Sequence, residues 1–277
     1  MNSSTTSNSN GGSILDRIFA AKRVELDAQR LSVPLEAIKA AALSVPAPRD
    51  FLAALRARRP AIIAEIKRAS PSKGDILPGL DPAAVARDYA DSGAAAISVL
   101  TDRHFKGSLE DLRRVRSAVD LPLLRKDFIF DPYQLYEARA AGADCILLIA
   151  AMLKENDLHA LYWLAREIGL QALVEVHNYE EMALAERIGA ELIGINNRNL
   201  HTFVTDLAVT ENLMAGYRGG ALIVGESGIN TPADIRRLDR AGARAFLIGE
   251  SLLRGGSPRA RLSELCAALD EQVERAR

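Results

Sequence analysis

Apolar runs and glycines alternate along this chain in a repeating order. Four phrases, Ser92-Gly93-Ala94, Ala141-Gly142-Ala143, Ile188-Gly189-Ala190 and Ala241-Gly242-Ala243, each lead at once into an apolar run, at 96–100, 145–149, 192–195 and 245–248. A glycine there suits the left-handed residue that closes a helix, and short apolar runs suit strands covered on both faces. The unit is therefore helix, glycine, strand. The phrases lie far enough apart to hold a further unit between them, and apolar runs at 61–64, 123–124, 172–174 and 221–224 bring the count to eight. Asp81-Pro82, Asp131-Pro132 and Thr231-Pro232 each place a capping oxygen ahead of a proline at the first helical position, marking three helix starts. Leu158, Leu161, Tyr162, Ala165 and Ile168 form one helical stripe, and Trp163 beside it is expected to pack with it.

Eight strands alternating with helices over 61–277 predict an α/β fold, a (β/α)8 TIM barrel. An open doubly wound sheet is the rival. It is disfavoured because the first strand runs into Lys67-Arg68-Ala69-Ser70-Pro71-Ser72-Lys73-Gly74 and not into a glycine-rich dinucleotide turn. Upstream, 14–55 reads as two or three helices broken at Pro46-Ala47-Pro48-Arg49, too few for a core of their own and so expected to pack on the barrel. Residues 1–12 are Ser/Thr/Asn/Gly-rich and bury too little apolar area to offset ordering entropy, so they read as a disordered tail. Residues 13–277 then form a single barrel domain with an N-terminal helical extension.

Composition narrows the partners. Of 277 residues 48% are hydrophobic and 26% charged, and 35 Lys+Arg against 36 Asp+Glu leave a net charge of −1. That balance gives no whole-chain attraction for nucleic acid or an anionic membrane. The apolar runs fall far short of the roughly 20 residues of a membrane helix. Residues 1–12 also lack the basic and apolar regions of a secretory signal, so a cytoplasmic location is expected. Cys145 and Cys266 lack CxxC spacing and read as core thiols. His104, His159, His177 and His201 are scattered without metal-ligand spacing, so no metal is expected.

Barrels of this kind work at the carboxyl ends of their strands. Polar residues gather there: Glu65-Ile66-Lys67, Arg125-Lys126-Asp127, Glu175, Asn196-Asn197-Arg198 and Glu226-Ser227-Gly228. Glu65 and Lys67, two residues apart on a strand, share one face. Ser227, Gly228 and Gly249, after strands seven and eight, suit capture of a phosphate by backbone N–H groups, with Ser70, Ser72 and Lys73 as further candidate donors.

The string 64–74 resembles the opening strand and loop of the indole-3-glycerol-phosphate synthase family of tryptophan biosynthesis. Similar matches follow in order at Leu100-Thr101-Asp102, Phe105-Lys106-Gly107-Ser108-Leu109, Arg125-Lys126-Asp127-Phe128, Leu173-Val174-Glu175-Val176, 194–200 and Glu226-Ser227-Gly228-Ile229. The resemblance spans 14–270. It implies ring closure of 1-(2-carboxyphenylamino)-1-deoxyribulose 5-phosphate, with loss of carbon dioxide and water, by a lyase that uses no organic cofactor or metal. By that resemblance Lys126 is the general acid and Glu175 the base. Lys67 and Arg198 meet the anthranilate carboxylate, Glu65 and Asn196 meet the sugar hydroxyls, and Glu226 completes the polar ring. Ser70, Ser227, Gly228 and Gly249 are implied at the phosphate, together with Glu250, whose carboxylate must turn away if its backbone N–H is to donate. Phe128 and Leu147 are placed at the aromatic slot. The expected partner is a phosphorylated small molecule, with a monomer favoured over a dimer. Two rivals are a related phosphate-binding barrel isomerase acting on a phosphorylated aminoribose compound and a non-catalytic metabolite-binding barrel. Neither predicts Lys67, Lys126 and Glu175 together.

Overall fold

The computed structural model describes residues 14–70, 74–77, 79–200, 202–254 and 256–270, so the tail at 1–12, Ser72, Lys73 and His201 lie outside the described residues, as does the Ser70 side chain. The eight apolar runs are strands: β1 Ala61–Ile66, β2 Ala96–Leu100, β3 Leu123–Lys126, β4 Cys145–Ile149, β5 Gln171–Val176, β6 Leu192–Asn196, β7 Leu222–Glu226 and β8 Ala245–Ile248. Each pairs in parallel with the next, and β8 pairs back onto β1, closing the barrel and excluding the open sheet. A short antiparallel pair, Ala69–Ser70 with Gly74–Asp75, extends the loop after β1.

Alternation along each strand divides the apolar residues into two sets. Ile62, Ala64, Ile97, Leu123, Ile146 and Val174 face the surrounding helices, whereas Ile63, Leu124, Leu147, Leu173, Val224 and Leu247 fill the barrel. That parity carries Glu65, Lys126, Glu175, Asn196 and Glu226 into the mouth, because each lies an even number of residues beyond an inward-facing position. Asp81, Asp131 and Thr231 cap their helices as expected, Thr231 in a reciprocal box with Asp234. Gly142 and Gly242 end helices with φ of 89° and 115°, a conformation side chains rarely tolerate.

The upstream segment forms three helices, α1 Ile14–Ser32, α2 Leu35–Ser44 and α3 Phe51–Arg56. Helix α3 closes the floor of the barrel with Phe51, Leu52 and Leu55. The Leu52 N–H donates to Gln171 Oε1 at 2.7 Å, and the Arg49 N–H to Asp144 Oδ1 at 2.7 Å. Helix α1 reaches the opposite end. Its Lys22, 5% exposed, lies 2.7 Å from Asp102 and 2.9 Å from Asp127, just past β2 and β3. Burial works against the Lys22 charge, but the two carboxylates outweigh it and raise its pKa. Replacing Lys22 by Met would leave two buried carboxylates short of a cation. We expect urea unfolding to show a loss of about 3 kcal/mol, and an unchanged midpoint would mean that the triad contributes nothing net.

Two packing expectations need correction. Trp163 is 49% exposed and lies edge-on to Tyr162 with Arg166 over its ring, so it belongs to the surface and not to the stripe. Cys145 is a core thiol whose pKa burial pushes up, whereas Cys266 is only half-buried, its Sγ 3.6 Å from the Gly93 carbonyl. No described helix is long and apolar enough to cross a membrane.

Candidate active site

The mouth holds a cavity of about 290 Å³ lined by Glu65, Lys67, Lys126, Glu175, Asn196, Arg198 and Glu226, seven side chains from five strand ends. Lys126 occupies its depth. Its Nζ donates to Glu226 Oε2 at 3.2 Å and to Glu175 Oε2 at 3.4 Å. Burial works against the charge on this amine. The Glu226, Glu175 and Glu65 carboxylates outweigh that tendency and hold it as ammonium.

The carboxylates divide into two kinds. Burial raises Glu175, but Lys126 and the His177 imidazole more than compensate and hold it well below the usual carboxylate range. Its Oε1 also accepts from Asn196 Nδ2 at 3.1 Å. Glu65 is likewise buried yet kept ionised, chiefly by Lys67, whose Nζ donates to it at 2.6 Å. Glu226 behaves oppositely. Burial, reinforced by the Glu175 charge and only partly opposed by Lys126, pushes its carboxyl up to about 7. Its Oε1 is buried without a hydrogen-bond partner.

This difference has a thermodynamic consequence. Between about pH 4.5 and 7 the folded protein binds a proton on Glu226 that the unfolded chain has released, so this group's contribution to stability falls as pH rises. Glu226→Gln cannot ionise. Its stability relative to wild type is expected to climb by up to about 3 kcal/mol between about pH 5 and 8, and a difference independent of pH would contradict the assignment.

Glycines make room for these acids. A Cβ at Gly194 would collide with the Glu226 carboxylate, and one at Gly249 would lie 3.0 Å from the Glu65 Cβ. The absent side chain at Gly249 is thus space for Glu65 first, beyond the backbone approach to an anion anticipated from sequence. Ser227 and Gly228 take successive positive φ values of 62° and 77°, and a Cβ at Gly228 would lie 2.5 Å from Thr205 Cγ2. Ser227, Gly228, Gly249, Glu250 and Ser251 form one rim of the cavity. The Glu250 carboxylate is held 3.1 Å from Arg254 and 4.0 Å from Arg198. Phe128 and Leu147 line the apolar wall, joined by Ile18 of α1, Leu100 and Phe105, whose ring lies 6.4 Å from that of Phe128.

Not every polar strand end belongs to the site. Arg125 turns outward to Glu137 and Asp127, each at 2.9 Å. Asp127 borders the cavity, but both its oxygens are engaged elsewhere, Oδ1 by Lys22 and the Phe128 N–H, Oδ2 by Arg125 and Thr101. Asn197 likewise ties the backbone of β7 to Thr210. His104 contacts Asp102 and His159 is exposed, so neither lines the cavity. Among the described residues no cluster of His, Cys, Asp and Glu could hold a metal ion.

A closed barrel with a buried ammonium set among carboxylates, below a rim rich in glycine and serine, defines a (β/α)8-barrel enzyme of acid–base type. A family model described as indole-3-glycerol phosphate synthase matches residues 15–265, and the chain belongs to that family. Curated relatives of that name include one from Roseiflexus sp. (strain RS-1), 50% identical over 262 residues, covering 91% of this chain and 97% of the relative. Another, from Chromobacterium violaceum, is 50% identical over 257 residues, with 91% and 97% covered. Among solved structures, thiamine phosphate pyrophosphorylase from Pyrococcus furiosus shares the fold at a TM-score of 0.59 and 18% identity, over 78% of this chain and 98% of that one.

Proposed function

We propose that this protein closes the indole ring of indole-3-glycerol phosphate from 1-(2-carboxyphenylamino)-1-deoxyribulose 5-phosphate, with Lys126 as acid and Glu175 as base. The observation that carries this reading is the Lys126 ammonium held between Glu175 and Glu226 at the depth of the cavity. The aryl carbon bearing the carboxylate attacks the ribulose ketone. The ketone oxygen takes a proton from Lys126 as charge develops on it, and carbon dioxide leaves with the ring electrons restored to aromaticity. The hydroxyl so formed then departs as water with a proton from a lysine ammonium of the cavity, while Glu175 takes a proton from the carbon bonded to nitrogen. A carboxylate beside that nitrogen also steadies its positive charge.

Lys67 and Arg198 suit the anthranilate carboxylate, Glu65 and Asn196 the sugar hydroxyls, and Phe128 and Leu147 the aromatic ring. Ser227, Gly228, Gly249 and the Glu250 backbone suit the phosphate, with Ser70 as a further donor by resemblance. The Glu250 carboxylate supports that arrangement, since Arg254 and Arg198 draw its charge aside. Acid, base and phosphate rim can all be supplied by one chain, so the reaction asks for no residue of a second copy.

The phosphate lies remote from the reacting carbons, so its binding energy serves to orient the ring against the ketone. The dephosphorylated substrate is expected to lose at least about a hundredfold in kcat/KM, read from indole fluorescence. Equal kcat/KM for the two substrates would remove the phosphate site from the account.

A further inference from the structure

His177 has no part in the assignments above and does not line the cavity, yet it is held tightly behind Glu175. Its side chain is only 13% exposed. Nε2 lies 3.3 Å from Glu175 Oε1 and Nδ1 lies 3.0 Å from Glu181 Oε2. Glu181 belongs to the first turn of the helix Tyr179–Arg187 and is itself pinned. The His177 N–H donates to it at 2.8 Å and Asn178 Nδ2 at 2.7 Å, while its own N–H donates to Asn178 Oδ1 at 2.9 Å. On its other sides Glu175 meets Asn196 of β6 and Lys126 of β3. The carboxylate is therefore held from the neighbouring strand β6, from β3 two strands away, and, through one imidazole, from a helix.

We propose that His177, clamped by Glu181, is a positioning residue that fixes the Glu175 carboxylate toward the substrate and keeps a second cation beside it. This rests on Glu175 acting as the base. The charge matters because of what Lys126 does. When Lys126 hands its proton to the ketone oxygen, Glu175 loses an ammonium partner at the stage before it must accept a proton. An imidazolium at 3.3 Å persists through that interval. Burial works against this charge, but the hydrogen bonds and charges of Glu175 and Glu181 outweigh it and push His177 up to about 10. Both ring nitrogens then carry protons at neutral pH, Nδ1 donating to Glu181 and Nε2 placing its charge 3.3 Å from Glu175.

The test combines a titration with kinetics. In wild-type protein the His177 imidazole NMR signals are expected to stay constant from about pH 6 to 8 and to titrate well above the ordinary histidine value of about 6.5, and in Glu181→Gln to titrate lower. His177→Asn is expected to lower kcat about tenfold at neutral pH and to move the acid limb of kcat up by about one unit, with KM changed less than about twofold. His177→Lys, which restores a cation, is expected to recover the acid limb. A wild-type His177 titrating near 6.5, or an unaltered acid limb in His177→Asn, overturns the proposal. Glu175→Gln separates the two failures. If that variant is inactive while His177→Asn behaves as wild type, only the positioning role falls; if it is active, the base assignment falls first.

Discussion

Lys126→Ala is expected to lower kcat by about a hundredfold or more with a much smaller change in KM. The reason is timing. The negative charge that Lys126 answers exists only while the new carbon–carbon bond forms, so its loss weakens the transition state and not the bound substrate. Lys67→Ala should differ by raising KM as well, because the carboxylate assigned to Lys67 is already present in the ground state. The structure adds a second effect at position 126. With the ammonium gone, Glu175, Glu226 and Glu65 face one another without their shared cation, and the carboxyl of the base rises. Lys126→Arg restores the charge without a transferable proton, so the activity it recovers over alanine measures the electrostatic share. Steady-state kinetics on the three variants decide the matter. Near-normal kcat in Lys126→Ala, with Lys67→Ala inactive at unchanged KM, would exchange the two roles.

Glu175→Gln is the second large effect, a fall in kcat of about a hundredfold to ten-thousandfold. Glutamine keeps the shape and can still accept from Asn196, so the cavity is preserved while the acceptor of the proton is removed. The expected block falls after carbon dioxide has left. Rapid-quench sampling should therefore find a hydroxylated, decarboxylated intermediate accumulating in Glu175→Gln. Unreacted substrate alone would assign Glu175 to an earlier step.

The barrel was readable from the chain because the strands are buried on both faces and the helices before β2, β4, β5, β6 and β8 end at a glycine, so the repeat is printed in local composition. Lys126 and Glu175 were readable as polar residues at strand ends, which are local properties, and their roles came from the family resemblance. What could not be read was the destination of a side chain at the same strand end. Arg125, Lys126 and Asp127 are adjacent in sequence, and only closure of the barrel sends Lys126 inward and Arg125 out to Glu137. Lys22 was invisible because its partners, Asp102 and Asp127, lie far along the chain and meet it only when α1 docks at the mouth. Gly194 showed no turn signal, since its purpose is the volume that Glu226 takes up across the β6–β7 pairing. His177 stood in the sequence only as one of four scattered histidines without metal-ligand spacing. Its clamp by Glu181 follows the i,i+4 geometry of a helix start, a signal present in the sequence but without meaning until Glu175 is placed beside it.

The most direct test of the account is turnover of 1-(2-carboxyphenylamino)-1-deoxyribulose 5-phosphate by the purified protein, with indole fluorescence and released carbon dioxide measured together. The account predicts indole-3-glycerol phosphate and carbon dioxide in equal amounts, without added metal or cofactor. Binding of the compound with neither product formed, or turnover only of a phosphorylated aminoribose compound by isomerisation, would contradict it.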